Sequence, residues 1–192
     1  MIINENQRVV ILTPPKTAST SLHAWAADAG WIAYEQHEMT VRAVFSGYRV
    51  FCTVRQPFPR VLSLWNHYAA AMRRHIASRY FCSVRDIPEV EPSQRHSIMT
   101  WVKNRKQIDP FFGQTCKEWS NLSNHRIDGW IRTENVIGDM RSHDIEPPPG
   151  QMPEKNKSPK SHPLITIETV DAIIDEFLSD AVVWEKQRER VE

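Results

Sequence analysis

Glycine is scarce in this chain, and its scarcity matters most near the start. Of 192 residues only 6 are glycine, and the first is Gly30. The turn Pro14-Pro15-Lys16-Thr17-Ala18-Ser19-Thr20-Ser21 joins a lysine to hydroxyls yet cannot be a Walker A loop, which needs G-x-x-x-x-G-K-[ST]. Cysteine is rarer still. Cys52, Cys82 and Cys116 show no metal-ligand spacing, so no cysteine-built metal centre is expected. Cys52 sits in an apolar run and reads as a small core residue, while Cys82 and Cys116 either pair or, as a reducing cytoplasm favours, remain thiols. Neither sign of charge dominates: 24 Lys and Arg face 23 Asp and Glu, a formal net charge of +1. With no basic, aromatic-interleaved stripe, nucleic-acid binding is disfavoured. The longest apolar runs are strand-length, so no membrane span is expected. Met1-Ile2-Ile3-Asn4-Glu5-Asn6 lacks the basic start and apolar centre of a signal peptide, and a cytoplasmic location is the expectation.

What is present points to an anion. The β-branched run Val9-Val10-Ile11-Leu12 ends in a proline-stiffened turn, then Lys16 and four hydroxyl residues, then an amphipathic segment. A strand–loop–helix of this kind aims backbone N–H groups, hydroxyls and the positive end of a helix dipole at one point, where a phosphate-like group is stabilised. Lys16, Arg55 and Arg60 are expected to converge as a local basic cleft.

Apolar periodicity predicts strands at Arg8 to Leu12, Trp31 to Tyr34, Arg49 to Val54 and Arg126 to Ile131. Helices are predicted from Leu22 to Gly30, around Met39 to Phe45, from Pro57 towards His75, near Ser93 to Arg105, from Glu134 to Met140, and from Ile167 to Lys186. On the last helix Val170, Ile173, Ile174, Phe177, Leu178, Ala181 and Val182 are expected to share an inward face. His67 and His75 are assigned to the surface of the long helix. Residues 78–122 read as an insertion and 146–163 as a proline-rich connection within one domain, 1–192. Strands that alternate with helices and are apolar throughout imply an α/β fold, a three-layer sandwich with a central parallel sheet. Ligands of such sheets bind beyond the strands' C-terminal ends, where Lys16 and Arg55 lie.

Pro15-Lys16-Thr17-Ala18-Ser19-Thr20-Ser21-Leu22 resembles the 5′-phosphosulfate loop of sulfotransferases that use 3′-phosphoadenosine-5′-phosphosulfate (PAPS). A second segment strengthens the resemblance. The family's 3′-phosphate motif has an arginine closing a strand, a proline two residues on and a serine eight residues on; Arg55, Pro57 and Ser63 match it. The Lys-Thr-Ala-Ser-Thr-Ser wording is closest to carbohydrate sulfotransferases of the heparan 2-O type. The resemblance implies the P-loop NTPase-like sulfotransferase fold and a PAPS-dependent enzyme that releases 3′-phosphoadenosine-5′-phosphate (PAP), with no metal required. Lys16 would carry charge on the bridging and leaving oxygens. Pro15, Thr17, Ala18, Ser19, Thr20 and Ser21 would cradle the 5′-phosphate and sulfate, with Arg55 and Ser63 on the 3′-phosphate. Asn156-Lys157-Ser158 looks like the family's closing loop and adds Lys157 to the cofactor set. Arg132-Thr133-Glu134-Asn135-Val136, with Asp139 following, resembles an R-x-E-N segment in which Glu134 orients a loop or helps place the acceptor.

An acceptor hydroxyl needs a general base. His37 leads, because histidine titrates near neutrality and the family's catalytic histidine occupies the corresponding stretch; Glu35 and Glu38 are alternatives. His23 is a weaker candidate, expected to face solvent. Tyr80, Phe81, Trp101, Phe111, Phe112 and Trp119 offer flat surfaces for a sugar or other acceptor, or else core packing. A saccharide or small-molecule acceptor is favoured, with a lipid or peptide tyrosine still open. Two other classes stand beside this reading: a nucleotide-dependent phosphotransferase on the same fold, and a non-catalytic nucleotide- or glycan-binding protein.

Overall fold

The computed structural model describes residues 1–79, 97–153 and 165–191. Lys157 with its neighbours Asn156 and Ser158, and Tyr80, Phe81 and Cys82, lie outside the described residues. The described residues form two compact units: one within Met1–Pro57, Thr115–Lys157 and Phe177–Glu192, the other within Phe58–Gln114 and Ser158–Glu176. Among them no helix is long and apolar enough to cross a membrane.

The first unit is built on a five-stranded sheet. Its strands are β1 (Ile2–Asn4), β2 (Val9–Leu12), β3 (Ile32–Ala33), β4 (Arg49–Val54) and β5 (Gly129–Arg132), in the order β3-β1-β2-β4-β5. β2, β4 and β5 run parallel, as their apolar composition predicts. The expectation of a wholly parallel sheet is corrected at the other edge. β1 pairs antiparallel with both β2 and β3, with Ile2 opposite Ile11 and Ala33. The turn that makes this hairpin is short: Arg8 N–H donates to the Glu5 carbonyl, and Arg8 is left-handed at φ 53°.

Side-chain alternation explains how both sheet faces are covered. Val9 and Ile11 join Ile2, Phe51 and Ile131 on one face, with Leu22, Trp25 and Ala26 of helix α1 (Ser19–Asp28) and Val136 and Met140 of α6 (Val136–Ser142). Val10 and Leu12 join Ile3, Val50 and Cys52 on the other face, with Met39, Val41, Phe45 and Trp119. Each large apolar side chain buried in this way contributes about 1.5–3 kcal/mol. α1 stops at Gly30, whose φ of 77° suits glycine, while Trp31 N–H reaches back to the Ala26 carbonyl.

Three further expectations are revised. Met39 to Phe45 is not a helix; only Ala43–Phe45 forms a 3₁₀ turn. The Asn124 side chain bonds both the N–H and the carbonyl of Val41 at 2.9 Å and holds that segment extended. The last helix divides at Phe177 into α7 (Ile167–Glu176) and α8 (Leu178–Val191), because buried Asp180, in the first turn of α8, accepts from Cys116 and Lys117 N–H. Ile174, Leu178 and Val182 are exposed rather than inward. Those two amides open α5 (Cys116–Ser120), a short helix within the stretch 78–122 read as an insertion.

The second unit contains α2 (Pro57–Arg79) from Phe58 onward, α3 (Ile98–Lys103), α4 (Arg105–Ile108) and α7. α3 packs on α7, and buried Arg105 donates to the Gly113 carbonyl at 2.6 Å and pairs with Glu176. Arg60 is also fully buried here and donates to the Gln114 carbonyl; it is not the exposed cleft cation expected from sequence.

Candidate active site at the ends of β2 and β4

β2 and β4 pair in parallel with Leu12 opposite Cys52, so Thr13 and Thr53 follow side by side at the strands' C-terminal ends. The chain then turns sharply. Lys16 and Ala18 are both left-handed, at φ 64° and 55°, a conformation that costs a residue with a Cβ about 1–2 kcal/mol. Paired strain of this kind persists only where surrounding contacts enforce it, and it concentrates at functional sites. Here the contacts are visible. Thr17 is fully buried, and its hydroxyl lies 2.7 Å from the Pro14 carbonyl and 2.6 Å from Thr53 Oγ1. Thr53 Oγ1 in turn lies 3.3 Å from the Leu12 carbonyl. The Thr17 hydroxyl thus props the turn from inside.

The neighbours of Thr17 open α1. Its N-cap is Ala18, which offers no side-chain hydrogen bond, and its first turn carries no acidic residue. The positive end of the helix is therefore neither capped by its N-cap side chain nor neutralised. Ser19 and Ser21 are buried at the helix start, and Lys16, Ala18 and Thr20 are partly exposed. Within the turn the Thr17 N–H donates to the Pro14 carbonyl at 3.4 Å, and the left-handed residues on either side of it flank the start of α1.

Arg55 follows β4 directly. It is half-buried and donates from Nη1 to the Lys16 carbonyl at 3.4 Å. Ser63 is half-buried on α2, in the second unit.

The candidate bases separate clearly. His37 is left-handed at φ 66°, half-buried, and its Nδ1 lies 2.9 Å from the Thr13 carbonyl. A carbonyl can only accept, so Nδ1 carries the proton and Nε2 holds the basic lone pair in the neutral ring. Burial lowers the His37 pKa below the ordinary histidine value, the Thr13 bond opposes this, and the Lys16 ammonium adds to the depression. Glu35 is exposed, and Glu38 accepts from Thr40 N–H at 2.7 Å, which leaves His37 the best oriented of the three. His23 does not face solvent. It is buried on α1 with Nε2 3.1 Å from Thr13 Oγ1, and burial pushes its pKa down to about 4. Both histidines therefore bond to Thr13, one through its hydroxyl and one through its carbonyl.

A further cluster borders Arg55. Glu134, just past β5, accepts from Gln56 N–H at 3.0 Å and from Trp184 Nε1–H at 2.9 Å. Trp184, on α8, covers the Arg132 guanidinium at 5.5 Å, and Arg132 is bonded to buried Asp139 at 2.9 Å. Sequence reasoning missed Thr13, Thr53, Gln56 and Trp184. A signal existed for one of them: Thr53 is a hydroxyl inside an otherwise apolar buried strand.

Of the aromatic residues proposed for an acceptor, Trp101 and Trp119 are buried in the core. Phe111 is half-exposed and stacks edge-on to Phe112, which also meets His67 at 4.6 Å in the second unit. Cys52 and Cys116 are buried and not joined in disulfides. Among the described residues no group of three or more His, Cys, Asp or Glu is placed to hold a metal ion. No protein-family model, curated protein or solved structure matches the chain.

Proposed function

We propose that this protein is a PAPS-dependent sulfotransferase whose acceptor is a hydroxyl, with a saccharide the favoured class. The observation that carries the reading is the strained Lys16–Ala18 turn at the start of α1, with Arg55 bonded to the turn and an oriented His37 imidazole bonded to Thr13 where it begins. That reading is supported by the first turn of α1, which carries no acidic residue to offset the positive end of the helix dipole, and by the lysine that stands within the turn.

PAPS supplies an activated sulfuryl group: a bond forms from the acceptor oxygen to sulfur, and the sulfur–oxygen bond to the 5′-phosphate breaks with its electron pair left on the phosphate. Lys16 and the first amides of α1 stabilise the charge that gathers on those oxygens. Arg55 takes the 3′-phosphate by charge-assisted hydrogen bonds. The sequence motif assigns Ser63 to the same phosphate and Lys157 to the closing loop. His37 Nε2 accepts the acceptor's hydroxyl proton, the Thr13 carbonyl steadying the imidazolium through Nδ1–H.

The test is label transfer from radiolabelled PAPS to a panel of unsulfated saccharides, phenols and simple alcohols. Wild-type transfer to a hydroxyl acceptor, abolished in Lys16→Ala with the circular-dichroism spectrum unchanged, supports the proposal. Phosphoryl transfer from ATP with Mg²⁺, and none from PAPS, contradicts it.

A further inference from the structure

The β4–β5 register brings two residues together that the chemistry above does not use. Val54 pairs with Arg132 in the parallel ladder, and Thr133 N–H extends it to the Val54 carbonyl at 2.9 Å. Two residues beyond the pair, Gln56 and Glu134 stand abreast, and Glu134 accepts the Gln56 N–H. That amide has a special place. Pro57 follows and has no N–H, so Gln56 supplies the one backbone donor between Arg55 and α2. The peptide plane that carries this N–H also carries the Arg55 carbonyl. Fixing the plane fixes ψ of Arg55; with β4 held in the sheet on the other side, both ends of the Arg55 backbone are pinned, which restrains where its side chain starts. The second Glu134 oxygen is held by the Trp184 indole, whose ring lies over Arg132, itself tied to Asp139. The carboxylate is thereby anchored to α8 and β5 and cannot rotate freely.

We infer that Glu134 is a positioning residue for Arg55, acting through the Gln56 amide with Trp184 as its anchor, and that it sets selectivity for a nucleotide bearing a 3′-phosphate. The inference rests on the assignment of Arg55 to that phosphate. It requires no contact between Glu134 and any ligand, and it places a negative charge near the site for an orienting purpose.

The experiment is calorimetric titration of the full chain with PAP and with ADP, which differ by the 3′-phosphate, in wild type, Glu134→Ala, Glu134→Gln and Trp184→Phe. Loss of a charged acceptor from one backbone donor is expected to cut the PAP-over-ADP affinity ratio of Glu134→Ala about tenfold, with ADP affinity held. Glu134→Gln keeps an oxygen for the Gln56 amide and is expected to restore most of the ratio. Trp184→Phe loses only the anchor and should fall between. Thermal melts confirm that each variant is folded. An unchanged ratio in Glu134→Ala overturns the inference, as does an equal loss of PAP and ADP binding, which marks a merely structural role. A wild type without preference for PAP would instead remove the Arg55 assignment beneath it, and so overturn both.

Discussion

Arg55 Nη1 donates to the main-chain carbonyl of Lys16 at 3.4 Å, joining the residue assigned to the 3′-phosphate to the turn assigned to the 5′-phosphosulfate. The two motifs lie far apart in sequence, and the parallel pairing of β2 and β4 brings their ends together. Arg55→Ala should therefore weaken PAP about 10- to 100-fold, the worth of a charged hydrogen-bond set, and weaken ADP slightly through the loosened Lys16 turn. Arg55→Lys keeps the charge but not the fork and should recover only part of the PAP affinity. Titration with both nucleotides reads the two effects separately.

His37 predicts the pH profile. Its pKa is depressed, chiefly by burial, so the imidazole is neutral and basic at pH 7. Transfer should rise with pH, pass an apparent pKa below the ordinary histidine value of 6.5 and then level off. His37→Asn is the informative variant, because asparagine tolerates the left-handed backbone. It should lower kcat by about 10²- to 10⁴-fold while PAP binding is kept, and the acid limb of the profile should vanish.

His23 makes a stability prediction. Its pKa falls from 6.5 in the unfolded chain to about 4 in the folded one, mainly through burial. Between those values the unfolded state binds the extra proton, so stability is full above pH 6.5 and declines as the pH drops towards 4. His37 and His143, also depressed, act in the same direction. Urea midpoints at several pH values should fall on acidification, and less steeply in His23→Gln.

The Thr17–Thr53 hydroxyl pair, 2.6 Å apart, should be energetically coupled. Each single change to valine is expected to cost about 1–2 kcal/mol, since it strands a buried polar partner. The double variant should cost less than the sum by at least about 0.5 kcal/mol. Denaturant unfolding of all four proteins measures this directly; strict additivity would show that the pair does not prop the turn.

The elements that position the site were largely legible. Val9–Leu12 is apolar throughout and Arg49–Val54 is apolar but for Arg49 and Thr53, because both sheet faces are covered, and that pattern survives in a linear reading. The helix after Lys16 and the long helix after Arg55 were equally plain. β1 was not, because three residues at the start of the chain carry no periodicity, and its antiparallel pairing made the sheet mixed. The 39–45 segment misled because Met39, Val41 and Phe45 suit a helix until the Asn124 side chain claims the Val41 backbone. At the site, residue types were readable and side-chain directions were not. Thr17 looked like a ligand and turned inward, while His23 looked solvated and is buried against Thr13. The Glu134–Gln56 bond depends on strand register between segments remote in sequence, which no local pattern encodes.

The most direct test of the central claim is calorimetric titration of the wild-type chain with PAP, ADP and ATP, each with and without Mg²⁺. The account predicts tight PAP binding that is indifferent to Mg²⁺, with ADP and ATP much weaker for want of the 3′-phosphate. Preference for ATP in the presence of Mg²⁺, or equal affinity for PAP and ADP, would contradict it.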